Sequence, residues 1–72
     1  MTPATLTAAG EALYGPLWQS DLAQALGVNR RTVSRWKSGQ NEIPEGLAED
    51  LWELMARRAD LIEMVMAELR RG

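Results

Sequence analysis

The chain has 72 residues, with eight bases against ten acids, a formal net charge of −2, and neither cysteine nor histidine. That inventory excludes disulfides, Cys/His zinc sites and the Cys–His or Ser–His pairs of nucleophilic catalysis, so no metal, no cofactor and no enzyme activity are expected. A single domain of this size buries only about 60% of its unfolded surface, which leaves association with another chain as the way to enlarge its core.

Thr2-Pro3 reads as a helix start, threonine as N-cap and proline at the first helical position, where its missing N–H costs nothing. Leu6, Ala9 and Leu13 follow at i, i+3 and i+7 as an inward stripe. Gly10 in mid-helix costs roughly 1 kcal/mol against alanine and so points to a close helix crossing. Gly15-Pro16 ends the segment, with Tyr14 expected at the edge of the core. Trp18 stands just before Gln19 and is expected to act as a hydrophobic staple on Leu22.

Residues 19–38 read as two short helices with a sharp turn. Leu22, Ala23 and Leu26 form a narrow apolar stripe, and Gly27 suits a left-handed helix end. Asn29 is a natural N-cap for a second helix from Arg30 to about Ser38, which Gly39 stops. Val33 and Trp36 face inward at i, i+3, while Arg30, Arg31, Ser34, Arg35 and Lys37 fan around the remainder. Two helices joined by a three- to four-residue turn containing glycine make a helix-turn-helix.

Asn41-Glu42-Ile43-Pro44 is a short loop in which Ile43 plugs the core and Pro44 opens the next helix. Leu47, Leu51, Leu54 and Met55, with Trp52 beside them, give that helix its packing face. No proline or glycine lies between Leu47 and Arg71, which allows one long helix; a break near Arg58–Asp60, with Asp60 capping a separate last helix, is the alternative. Residues 59–71 are expected to form the dimerisation helix, because the stretch from Leu61 to Leu69 is too apolar for a free surface helix. Leu61, Ile62, Val65, Met66 and Leu69 cover one broad side, which marks them as a homodimer contact, the other option being a fifth helix folded back on the bundle.

The run Gln19-Ser-Asp-Leu-Ala23, Leu26-Gly27-Val28-Asn29-Arg30-Arg31-Thr32-Val33-Ser34-Arg35-Trp36, Gly39 and Pro44 resembles the Cro/C1-type (lambda-repressor-like, XRE) helix-turn-helix family of bacterial and phage regulators. The resemblance covers roughly residues 6–58. It implies an all-α bundle of four to five helices that binds operator DNA as a dimer. It also implies that Arg30, Arg31, Ser34 and Arg35 reach base edges, as the second helix of such a motif lies in the major groove. Gln19 would meet phosphate at the positive end of the first motif helix, as would Lys37, Ser38, Gln40 and Asn41 around the second, while Thr32 would face a phosphate or help cap its helix. The family pattern often places a capping serine or threonine where Trp18 stands here.

Charge is distributed unevenly. Residues 19–41 hold Arg30, Arg31, Arg35 and Lys37 against Asp21, a net +3, whereas residues 42–72 hold eight acids against four arginines, a net −4. A basic face on an acidic body is an electrostatic footprint for DNA. The expected function is therefore a sequence-specific transcriptional regulator, most simply a homodimeric repressor or autorepressor on a palindromic operator in double-stranded DNA. The alternative is a protein-interaction module, antitoxin-like or an adaptor, that keeps the fold without DNA binding. No basic leader or apolar run of about 18 residues occurs, so neither a signal peptide nor a membrane span is expected, and a cytoplasmic setting fits. With no second domain, no small-molecule sensor is expected.

Overall fold

A computed structural model describes residues 1–72 as four helices and no strands: α1 (Pro3–Tyr14), α2 (Trp18–Leu26), α3 (Arg30–Ser38) and α4 (Leu47–Arg71). The first three pack pairwise against one another, and α4 leans on α1. The nine-residue core draws on all four: Leu6 and Leu13, Trp18, Leu22 and Ala23, Val33 and Trp36, Leu47 and Leu51. Tyr14, Ile43 and Leu54 border it, half-buried, as the sequence suggested for the first two.

Local chemistry explains the boundaries. Thr2 accepts from the Thr5 N–H at 3.1 Å, and Pro3 occupies the first turn. At the end of α2 the Gly27 N–H donates to the Gln24 carbonyl and the Val28 N–H to the Ala23 carbonyl. With Gly27 at φ 72°, this is a Schellman motif. The Asn29 side chain accepts from the Arg31 N–H at 2.8 Å and opens α3 only three residues after α2 closes.

Trp18 departs from the sequence reading. It lies inside the first turn of α2, 2% exposed, and not ahead of the helix as a staple. Its ring presses on Gly10 so closely that a Cβ there would overlap the ring atoms. The glycine and the tryptophan are thus one feature, the α1–α2 crossing. Leu17, the residue before it, caps nothing with its side chain and is 87% exposed.

Two further expectations are corrected. Pro44 does not open the last helix; the Leu47 N–H donates to the Pro44 carbonyl across a turn, and α4 starts at Leu47. Met55 does not join the packing face either, because the bundle covers only the flank bearing Leu47, Leu51 and Leu54 and leaves Met55 37% exposed. No break occurs at Arg58–Asp60, and no fifth helix folds back. Instead α4 runs 25 residues, with Glu49 and Asp50 in its first turn and Arg70 and Arg71 in its last, each sign matching the helix dipole. Its C-terminal half leaves the bundle, which draws the molecule out to 48 × 21 × 21 Å. Leu61 to Leu69 accordingly have no cover within the chain.

Candidate nucleic-acid interface

The arrangement around α3 follows from its two buried residues. Val33 and Trp36 fix the inward side, and at about 100° per residue the opposite side carries Arg31, Arg35 and Ser38. Arg30, Ser34 and Lys37, at i, i+4 and i+7, lie together on one flank of that outer side, and Thr32 lies on the other. Thr32 is half-buried, whereas Arg30, Arg31, Arg35, Lys37, Ser38, Gln40 and Asn41 are exposed. Most of the residues singled out in the sequence therefore share one surface.

None of the four cations on that surface is spent on a carboxylate. The one ion pair in the chain is Arg57 with Glu53, 3.8 Å apart on an exposed turn of α4. The guanidinium groups of Arg30, Arg31 and Arg35 thus keep their planar forks of donors open to solvent, the form in which arginine matches a phosphate or the O6/N7 edge of guanine.

Ser34 and Gln19 behave differently from their neighbours. The Ser34 Oγ donates to the Gln19 Oε1 at 2.8 Å, and both residues are half-buried at the α2–α3 seam. That bond consumes the hydroxyl's donor and sets the amide of Gln19, leaving its Nε2–H donors pointing out of the pair. Sequence reasoning treated the two as separate contacts and missed the bond; the signal available was two short polar side chains on the facing flanks of adjacent helices. Beside them lies a shallow depression lined by Pro16, Leu17, Gln19, Ser20 and Arg30. It brings Arg30 next to the first turn of α2, whose N–H groups have no side-chain cap.

Past the end of α3 the polar residues turn back on the backbone. The Ser38 Oγ donates to the Arg35 carbonyl at 3.2 Å, and the Gln40 N–H approaches the Ser38 Oγ at 3.4 Å. The Asn41 N–H donates to the Arg35 carbonyl at 3.2 Å. Ser38 is therefore first a helix-end residue.

No group of His, Cys, Asp or Glu gathers as a metal-binding set, and no helix is long and apolar enough to cross a membrane. No family model matches the chain, and neither a curated protein nor a solved structure proves similar to it.

Proposed function

We propose that this protein is a sequence-specific DNA-binding regulator that reads a two-fold symmetric operator as a homodimer, with α3 as the helix entering the major groove. The observation that carries the reading is the outer side of α3, where four unpaired cations stand on a rod anchored from behind by Val33 and Trp36. Arg31 and Arg35 are best placed for base edges, with Arg30 shared between bases and the phosphate nearest the α2 N-terminus. Ser34 acts mainly by holding Gln19, whose free amide donors serve a phosphate or base acceptor. Lys37, Thr32, Ser38, Gln40 and Asn41 supply backbone contacts that set register without reading sequence. The acidic α4 keeps the rest of the molecule off the duplex.

One α3 spans about one half-site, so a second copy is needed to read two major grooves about 34 Å apart. The uncovered C-terminal half of α4 is the surface that recruits it. Selection of random duplexes by the purified protein tests the reading as a whole. The expected result is an enriched palindrome whose affinity falls by roughly 10³ to 10⁵ between 50 and 200 mM salt for six to ten phosphate contacts. Recovery of no duplex at low salt refutes it. A second reading, a protein-interaction module, is favoured by the long apolar face of α4; binding of a protein partner that is insensitive to salt, with no duplex retained, would establish it instead.

A further inference from the structure

On α4 a second apolar seam runs beside the one the bundle covers. Trp52, Ala59 and Met66 alternate with Ala48, Met55, Ile62 and Leu69 at steps of four and three, so that every residue of a heptad-spaced line from 48 to 69 is apolar. Each of them is exposed in the single chain, Trp52 at 71%. The covered seam, Leu47, Leu51 and Leu54, lies on one flank of this line and meets Arg58 where the helix leaves the bundle. The open seam thus continues past that point without a charge, and its whole length from Ala48 to Leu69 is about 32 Å. Such a repeat, in a helix of 3.6 residues per turn, specifies a left-handed pair of helices.

We infer that this seam pairs with a second copy of itself, antiparallel, and that the subunit contact therefore includes Ala48, Trp52, Met55 and Ala59 as well as the C-terminal apolar set. The inference deepens the dimer part of the proposed reading. Three observations select the occupant and its direction. Set antiparallel, Trp52 faces Leu69 of the partner subunit, Met55 faces Met66 of the partner subunit, and the small Ala59 faces Ile62 of the partner subunit, so that the small side chain meets a large one and not its own copy. In the same register Glu49 comes level with Arg70 of the partner subunit, twice by symmetry, and neither residue has an ion-pair partner in its own chain. A parallel pair would instead oppose Trp52 to its own copy and leave Ala59 opposite alanine. It would also rely on Arg58, whose guanidinium already sits 5.4 Å from the centroid of the Tyr14 ring.

Placement of the bundles gives the third observation. Same-side flanks meet in an antiparallel pair, so both bundles stand on one face of the helix pair, displaced along its axis. Two α3 helices can then address one side of a duplex. A parallel pair would put the bundles on opposite faces.

The test is made without DNA, so that a failure of pairing is separated from a failure of α3 to bind a duplex, which non-specific DNA reports for a monomer too. Light scattering at micromolar concentration is expected to give a dimer for the parent chain. Trp52→Glu and Ala59→Glu, at sites exposed in the single chain, are expected to weaken the dimer by at least on the order of a hundredfold, because each places an unpaired charge in the seam. Helical circular dichroism checks that they fold. A nitroxide at Arg71→Cys, the only cysteine such a chain would hold, is expected about 30 Å from its mate. A monomeric parent, dimers unchanged by both variants, or a label separation under about 20 Å would each overturn the inference, the last by showing a parallel pair.

Discussion

Gly10→Ala sets two ordinary rules against each other. In the interior of a helix alanine is favoured over glycine by about 1 kcal/mol, so on propensity alone the substitution stabilises α1. The added methyl, however, lands among the ring atoms of Trp18, a side chain 2% exposed and enclosed by the core. A ring in such a place has no free volume to swing into, and forcing one methyl into a packed core costs about 1–3 kcal/mol, or more where a large ring must move. The second effect wins, and a net loss of about 1–2 kcal/mol is expected. Urea unfolding at fixed protein concentration, so that dimerisation contributes equally to both chains, measures it. Combining Gly10→Ala with Trp18→Leu separates the causes: the methyl should then be tolerated, giving a coupling energy of about 1 kcal/mol or more between the two sites. A more stable Gly10→Ala would refute the crossing as the reason for glycine at this position.

Trp36→Ala, a truncation in the core behind α3, should cost about 3–5 kcal/mol by the same unfolding assay. A folded variant that had lost only DNA affinity would place the ring on the wrong side. Asn29→Ala removes the cap on the Arg31 N–H and should cost about 1 kcal/mol, whereas Asn29→Gly should cost only a few tenths. Arg31→Ala should weaken operator binding by about 1–3 kcal/mol while sparing random duplex, as read by competition titration; equal losses on both would make it a phosphate contact. Ser34→Ala and Gln19→Ala should each reduce operator affinity, and the double variant should lose less than their sum, since the two share one hydrogen bond.

The start of α1, the end of α2 and both ends of α3 were legible because they rest on one-residue chemistry. Thr2, Gly27, Asn29 and Gly39 each stop or start a helix through a local hydrogen bond or a left-handed backbone, and neither depends on distant parts of the fold. Trp18 was misplaced because its role depends on a partner eight residues away on another helix. No local rule distinguishes a ring stacked over the helix start from one driven under α1. Met55 failed for a similar reason: two apolar seams run side by side on α4, and periodicity alone cannot tell which of them the bundle will cover. On α3, burial of Val33 and Trp36 was enough to predict which side the arginines take, since a rod held at two points has only one free face. The Ser34–Gln19 bond needed the crossing of α2 and α3, which spacing along either helix does not give.

The phase of α4 ties these results to the proposed activity. Leu47, Leu51 and Leu54 turn one flank of the helix into the bundle, and the line from Ala48 to Leu69 follows it one residue later at each step, rotated from it by about a right angle. A seam on the far side of α4 would have placed the partner away from the bundle. A seam coincident with the covered one would have been cut off by α1 and Tyr14. At the intermediate angle the proposed partner helix would pass alongside the bundle without displacing it, and would extend the core of a small chain at the exit of α4. Folding and the proposed pairing would then be linked, since a pair that buries Trp52 would also steady the helix that carries Leu51 and Leu54. Dilution should accordingly lower the unfolding temperature of the parent chain, and the Trp52→Glu variant should melt at the same temperature whatever its concentration.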